Sequence, residues 1–115
     1  MNFEPGEIVV APFSFKGQKN ITKDRYLLVI SKYSKNPIYD TFVCLPITSV
    51  EENHPYIIKI MAQDLQYGKL MKPSQVICHA IYILEKKDAV RLAGKVTPQF
   101  YAKIKNVLKE HILDV

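Results

Sequence analysis

The segment Tyr26–Ser31, YLLVIS, is apolar on both faces of an extended strand. Successive side chains of a strand point to opposite sides of the sheet, so a strand with one face in water alternates apolar and polar residues. A short apolar run without that alternation is typical of a strand that is covered on both sides. The segment therefore predicts a central strand, the second along the chain.

Further short apolar runs, separated by polar and turn-forming residues, predict the rest of the sheet. Pro12 and Pro46 stand near the ends of two of these runs, where a strand tolerates the loss of a backbone donor. The predicted strands are Gly6–Phe13, Tyr26–Ser31, Thr41–Ile47, Tyr56–Ile60 and a last stretch, Ser74–His79 with Ala80–Leu84, that forms one bent strand or two; the predicted turns are Ser34–Asp40, Thr48–Pro55 and Asp64–Gly68.

One amphipathic helix is predicted after Gly94. Thr97 is a good N-cap residue and Pro98 suits the first helical position. An apolar stripe follows at helical spacing, at Phe100, Ile104, Val107, Leu108 and Ile112. A short helical turn is also expected at Lys86–Arg91. Several short strands followed by this helix indicate a mainly β (α+β) fold, a small and strongly bent sheet or barrel with a C-terminal amphipathic helix packed on it.

The length of 115 residues fits a single domain, 1–115. No segment approaches the roughly 20 apolar residues that span a bilayer, and the first residues, MNFEPGEIVV, lack the features of a signal peptide. We therefore expect a cytoplasmic protein that does not contact membranes. Cys44 and Cys78 each lie in an apolar segment and are expected to be buried free thiols, with a disulfide between them as the alternative.

Positive charge is concentrated around the predicted central strand. The stretch Lys16–Lys35 contains six cationic residues and one acid, whereas the rest of the chain holds ten of each, so this stretch carries the whole net charge of +5. Its first part, Ser14–Asp24, predicts a loop, and a loop of about ten residues is uncommon in a small domain unless it has a function. We expect a phosphate-bearing partner; a solvated loop that only aids solubility is the alternative.

Most familiar catalytic arrangements are not indicated. The adjacent acids Glu51 and Glu52 lie in a predicted turn rather than across a cleft. His54, His79 and His111 are dispersed along the chain without metal-ligand spacing. Glycine-rich phosphate loops and nucleophile motifs are also lacking from the sequence. The sequence therefore predicts neither a metal nor a cofactor.

Arg25 at the start of the second predicted strand and Thr48 after the third are the remaining candidates. If these strands pair antiparallel, the two residues lie side by side at one edge of the sheet. A guanidinium can hold two phosphate oxygens and a hydroxyl beside it adds a hydrogen bond, so the pair suits a phosphodiester. The alternative is a surface ion pair for Arg25 and a turn role for Thr48.

The order and spacing of several segments resemble the MazF/PemK family of toxins from toxin–antitoxin modules. The matching segments run from about Gly6 to Leu108 and read GEIVVAPFSF, a basic loop, DRYLLVIS, FVCLPITS, LMKPSQV and GKVTPQF. The resemblance implies an SH3-like barrel, a homodimer and metal-independent cleavage of single-stranded RNA. It also implies a cognate antitoxin with an acidic disordered tail that lies across the basic loop.

Two motifs of this family fall on the two candidates. The functional arginine of an R-P-x-x-V-[LI]-S pattern corresponds to Arg25 in RYLLVIS, and the functional threonine of a P-x-T-[ST] pattern corresponds to Thr48 in PITS. The implied reaction is attack of an RNA 2′-hydroxyl on the adjacent phosphate, which leaves a cyclic phosphate and a 5′-hydroxyl. Because a guanidinium is a poor base, we assign charge stabilisation to Arg25 and leave the base open. The expected RNA contacts are Lys16, Gln18, Lys19, Lys23, Tyr26, Ser49 and His79.

Three features depart from the family pattern. Tyr26 replaces a proline and is expected either to stack on a base or to pack in the core. Ile77–Ala80 stands where relatives often carry basic or amide side chains, and the basic loop has a single glycine. Two functions are therefore alternatives to the ribonuclease: a nucleic-acid-binding or antitoxin-binding module without turnover, and a toxin that acts on a protein, as gyrase poisons of a related fold do.

Overall fold

A computed structural model describes residues 1–14 and 22–115 of the chain. This part of the chain contains eight strands and one α-helix. The strands are β1 (Glu7–Phe13), β2 (Lys23–Val29), β3 (Thr41–Thr48), β4 (Ile57–Ile60), β5 (Leu65–Gly68), β6 (Ser74–Ile77), β7 (Tyr82–Glu85) and β8 (Arg91–Val96); the helix α1 (Pro98–Val107) continues as a π-helical turn (Leu108–Ile112), and 3₁₀ turns lie at Tyr33–Lys35, Ala62–Asp64 and Lys86–Asp88.

β2 lies in the middle of the sheet. The strand order is β4-β6-β3-β2-β1-β8-β5, with β7 also paired to β3. Leu27, Leu28 and Val29 of β2 are completely buried. Leu28 belongs to a core cluster that includes Phe100 and Ile104 of the helix, while Leu27 and Val29 belong to a second cluster on the other side of the strand. β2 is thus covered on both faces, and the prediction of a central strand is confirmed.

The two apolar clusters hold a curled sheet and its helix together. The first cluster lies between strands and α1 and joins Ile8, Leu45 and Val76 to the buried stripe of the helix. In the second cluster the N-terminal Phe3 packs edge-on against Phe42 of β3, with ring centroids 5.1 Å apart. This is the predicted mainly β fold, an SH3-like barrel with a C-terminal helix. Within residues 1–14 and 22–115, no helix is long and apolar enough to cross a membrane.

Strands β5 and β8 correct the sequence prediction. Asp64–Gly68 is predicted as a turn, yet Leu65–Gly68 is a strand, and β8 has no predicted counterpart. The two strands approach closely at Gly68 and Gly94, where a Cβ on either glycine would collide with backbone atoms of the neighbouring strand. Gly68 also has a φ of 89°, which disfavours any other residue. These glycines mark a close backbone approach and not chain reversals.

The boundaries of β2 differ from the predicted Tyr26–Ser31. The strand begins at Lys23, which pairs with Phe13 of β1, and ends at Val29. The residues just before the apolar run are therefore part of a β-hairpin and not of the predicted loop. Their ladder hydrogen bonds with β1 extend the strand beyond its apolar stretch, which hydrophobic pattern alone does not reveal.

The last predicted strand material forms two strands. β6 and β7 both pair with β3, β6 near its end and β7 along its first half, with the intervening residues in a turn. The short helical turn predicted at Lys86–Arg91 is present as a 3₁₀ turn over Lys86–Asp88. Both cysteines are buried and free, so that prediction is confirmed as well.

The two thiols should resist alkylation in the folded protein. Burial raises the pKa of Cys44 to about 12 and that of Cys78 to about 11, so both stay protonated and the reactive thiolate is not formed. Iodoacetamide at about pH 8 should label neither in native buffer and both in denaturant, as read by intact mass. Because the unfolded thiols ionise first, folding stability should also decrease as the pH rises above the ordinary value of 9.0. Rapid native labelling would contradict this.

The helix cap offers a second test of the fold. The Thr97 hydroxyl accepts a hydrogen bond from the backbone N–H of Phe100 at 3.1 Å, and Pro98 occupies the first turn, both as predicted. Thr97→Ala should lower the free energy of unfolding by about 1 kcal/mol in urea titrations, because one helix N–H loses its partner. Thr97→Ser keeps the hydroxyl and is the matched control. Equal losses in both variants would assign the effect to the lost methyl group.

Candidate active site

Arg25 and Thr48 lie next to each other on neighbouring strands. Tyr26 of β2 pairs with Ile47 of β3 in an antiparallel register. Arg25 precedes Tyr26 and Thr48 follows Ile47, so the same register brings Arg25 beside Thr48 where β3 ends. The strands are paired as the residue analysis requires for these two side chains to act together.

Arg25 and Thr48 belong to a row of paired residues that crosses four strands, called the Arg25–Thr48 row below. Arg25 pairs with Ala11 of β1, and Thr48 pairs with Gln75 of β6. Arg25 is half-buried, and its Nε donates a hydrogen bond to the carbonyl oxygen of Phe13 at 3.1 Å. This bond orients the planar guanidinium on the hairpin. An arginine held in this way is suited to forked recognition of phosphate oxygens.

Thr48 closes the end of β3 with a side-chain turn. Its Oγ1 accepts a hydrogen bond from the backbone N–H of Val50 at 3.1 Å. The side-chain amide of buried Gln75 donates to the carbonyl oxygen of Val50 and fixes the same turn from β6. Because the hydroxyl is the acceptor in its bond to Val50, its own hydrogen can serve as a donor. The turn thus presents a fixed hydroxyl beside Arg25.

Gln75 was not identified in the sequence analysis. It lies within the predicted strand Ser74–His79, where neither charge nor motif distinguishes it. Its importance comes from its pairing with Thr48, which only the register of β3 with β6 reveals. A polar residue next to the apolar run Val76–Cys78 is the single local signal that could have indicated it.

Two of the expected RNA contacts flank this row. Lys23 lies two residues before Arg25 in β2 and is exposed, and Ser49 directly follows Thr48 and is also exposed. Ser14 after β1 and Thr22 before β2 are joined by a hydrogen bond between their hydroxyl oxygens, which are 2.8 Å apart. The other basic-loop candidates lie outside the described residues: Lys16, Gln18 and Lys19.

Tyr26 lies on the other side of the sheet from Arg25. Consecutive residues of a strand point to opposite faces, and Tyr26 packs against the core cluster that contains Leu28. Its side chain is half-buried there. Of the two expectations for Tyr26, stacking on a base or packing in the core, the structure places it in the packed position.

The three histidines are close in space, which corrects the impression of dispersed residues given by their sequence positions. The rings of His54 and His79 stack with centroids 4.5 Å apart. The ring of Tyr56 contacts both of these rings, and the ring centroid of His111 lies 5.6 Å from that of Tyr56. In the described ranges, no group of three or more His, Cys, Asp or Glu residues is arranged to hold a metal ion.

The positive charge around the central strand is divided between the two ends of β2. Lys23 and Arg25 lie at its start, whereas Lys32 and Lys35 lie beyond its last residue. Lys35 forms an ion pair with Glu4 at 3.3 Å, so part of this charge is compensated. Within residues 22–35, this charge therefore forms two separate regions, one at each end of β2.

Comparison with known proteins identifies the family. The sequence model described as PemK-like, MazF-like toxin of type II toxin–antitoxin system matches residues 4–112. This chain belongs to the PemK/MazF-like toxin family. A comparison with curated protein sequences gives no match.

Several solved structures have the same fold as this PemK/MazF-like chain. MazF from Deinococcus radiodurans has a TM-score of 0.74 at 16% identity, with 94% of each chain covered. An endoribonuclease from a mycobacterial species in complex with its cognate antitoxin has a TM-score of 0.72 at 18% identity, covering 92% of this chain and 90% of that chain. The Mycobacterium tuberculosis toxin MazF-mt6 has a TM-score of 0.70 at 18% identity, covering 89% and 91%. At these identities the likeness establishes the fold.

Proposed function

We propose that this PemK/MazF-like chain is the toxin of a type II toxin–antitoxin module and a metal-independent endoribonuclease that cleaves single-stranded RNA. The observation that carries the proposal is the placement of Arg25 beside Thr48 where β3 ends. The family and the endoribonucleases among its structural neighbours support the same assignment. The basic residue Lys23 next to this row suits a polyanionic substrate.

The proposed reaction uses a nucleophile that the RNA itself supplies. The ribose 2′-oxygen forms a bond to the adjacent phosphorus and loses its proton, while the bond from phosphorus to the 5′-oxygen of the next nucleotide breaks. The departing 5′-oxygen takes up a proton, so the products are a 2′,3′-cyclic phosphate and a 5′-hydroxyl. The protein must align the reacting atoms and stabilise the charge that develops on phosphate oxygens.

Arg25 and Thr48 have distinct roles in this scheme. The guanidinium of Arg25 stabilises the negative charge of the crowded phosphate, and its bond to Phe13 keeps it in place. The hydroxyl of Thr48 donates a hydrogen bond to a phosphate oxygen from the turn that Val50 fixes. Lys23 and Ser49 contact the strand on either side, and Lys16, Gln18 and Lys19 contribute from the basic loop. His79 binds the RNA from the turn that follows β6.

Cleavage of a long single-stranded RNA in EDTA tests this function. The wild-type chain should produce fragments with cyclic-phosphate and 5′-hydroxyl ends, and Arg25→Ala should lower the rate by about 100-fold or more, since one preorganised charge is lost. Arg25→Lys keeps the charge but loses the planar fork, so it should restore only part of the rate. Lys103→Ala, which removes an exposed cation from α1, is the control and should cleave like the wild type.

Other outcomes of that assay favour the alternative functions. Binding of RNA with a steep salt dependence and no cleavage would indicate a binding module without turnover. Inhibition of gyrase by a chain that leaves RNA intact would indicate a toxin directed at a protein. Equal cleavage by wild type and Arg25→Ala would remove the arginine from the mechanism.

A cognate antitoxin and a second copy of the chain, forming a homodimer, are the protein partners that we propose. Besides the antitoxin contact expected at the basic loop, which falls largely outside the described residues, a groove of about 600 Å³ along α1 supports a second contact away from the Arg25–Thr48 row. Ile30 and Leu108 contribute apolar surface to it. Three lysines also line it, Lys32, Lys105 and Lys109, and none of the described side chains that line it is acidic. The groove therefore fits an acidic segment with apolar side chains.

Charge reversal in the groove tests this contact. Lys105→Glu with Lys109→Glu should weaken co-purification of the antitoxin that the wild-type chain retains, because both substitutions repel an acidic segment. RNA cleavage should be unchanged, since the groove lies beyond the end of β2 opposite to Arg25. Lys103→Glu changes the charge of the same helix outside the groove and is the matched control. Undiminished co-purification by the double variant would place the antitoxin elsewhere.

A further inference from the structure

All three histidines of the chain gather around one tyrosine at the edge of the barrel. Tyr56 lies just before β4 and is half-buried against the core. The rings of His54 and His79 contact it at 5.2 and 5.8 Å and stack on each other at 4.5 Å with an interplanar angle of 20°. His111, in the π-helical turn after α1, stacks on Tyr56 at 5.6 Å. Three distant segments thus build one aromatic cluster.

The hydrogen bond of His54 fixes its tautomer. Its Nδ1 accepts from the backbone N–H of Tyr56 at 3.1 Å, so in the neutral ring the proton is on Nε2. A metal ligand at Nε2 would require the other tautomer and the loss of this bond. The His54 ring is therefore prepared to donate a hydrogen bond and not to coordinate an ion.

The exposure and chemistry of the cluster select its ligand. His54 and His79 are exposed, so their stacked rings are open to solvent. The ring of Tyr56 contacts both and packs against the core. Among the described residues, the rings that contact one another in the cluster are those of the three histidines and Tyr56. Flat unsaturated rings with N–H donors match a nucleobase, which stacks on aromatic faces and carries acceptors on its edge.

The cluster is connected to the Arg25–Thr48 row through β6. Gln75 of β6 pairs with Thr48, and His79 follows four residues later. At about 3.3 Å per residue, the two positions lie at most roughly 13 Å apart along the chain. Tyr56 packs on the helix side of the sheet, so a strand bound at both places would pass around its β4 edge. Single-stranded nucleic acids occupy about 4 to 16 nucleotides on one OB fold, a length that exceeds this separation.

We propose that His54, His79 and Tyr56 form a base-stacking subsite for a nucleotide of the RNA that lies outside the scissile step. His111 supports the ring of Tyr56 from the helix. The inference rests on the proposed ribonuclease function and adds a ligand, an unpaired base, to a surface that includes His79.

A double-mutant cycle, which combines a change in the protein with a change in the RNA, tests the subsite. Binding is measured with short single-stranded RNAs carrying 2′-O-methyl groups, which remove the nucleophile, and a series in which one base at a time is replaced by an abasic residue. With the wild-type chain, loss of one particular base outside the cleavage step should weaken binding by about tenfold. In the His54→Ala/His79→Ala variant, removal of the same base should not weaken binding further. Removal of any other base should weaken binding as much as it does with the wild-type chain.

Two controls separate stacking from folding. His79→Phe keeps a flat ring, so removal of the same base should still weaken binding. Lys103→Ala should leave the loss of binding unchanged at every abasic position. The urea midpoints of the variants report whether the cluster merely holds its three segments together. An abasic profile that is the same for wild type and His54→Ala/His79→Ala overturns the inference.

The inference and the ribonuclease function can fail separately. Arg25-dependent cleavage together with an unchanged abasic profile rejects the subsite and keeps the enzyme. Coupling at one base without any cleavage supports the subsite and rejects the enzyme. A wild-type chain that binds none of the RNAs rejects both.

Discussion

Burial of β2 on both faces is the constraint on which the rest of the structure depends. Leu28 is covered from the helix side and Leu27 with Val29 from the other, so β2 cannot shift by one residue without exchanging the two clusters. Its register with β1 and β3 is fixed for the same reason. Removing even one such side chain typically costs about 2 to 5 kcal/mol, a large part of the stability of a small domain. The position of Arg25 beside Thr48 follows from this core.

Local pattern predicted the parts of the fold that depend on local causes. The unbroken apolar run indicated β2, and the Thr97–Pro98 pair indicated the start of α1, because strand burial and helix capping are both determined by neighbouring residues. β5 and β8 escaped prediction because their strand state depends on their pairing with each other. Gly68 and Gly94 are required there by the close approach of two backbones, and a sequence shows glycine without showing its neighbour.

The same division applies to the candidate site. Arg25 and Thr48 could be singled out because an antiparallel connection relates the start of one strand to the end of the next. Gln75 could not, since its position depends on β3 pairing with a strand more than twenty residues further along the chain. The aromatic cluster is the extreme case, because His54, His79 and His111 belong to a loop, a turn and a helix end that meet only through Tyr56.

The chemistry proposed for this chain explains why a fold with so few catalytic signatures suffices. When the RNA supplies its own nucleophile, the protein needs neither a nucleophilic side chain nor a phosphate-binding glycine loop, and its main task is to hold donors where charge develops. That task depends on rigidity, which the buried strands supply. Arg25 is held by Phe13 across the β1–β2 hairpin, and Thr48 by Val50 and Gln75 across the end of β3. Arg25 is thus positioned by a backbone carbonyl of β1, and Thr48 by a turn that a buried side chain of β6 fixes, so the geometry of the proposed site and folding stability have the same physical origin.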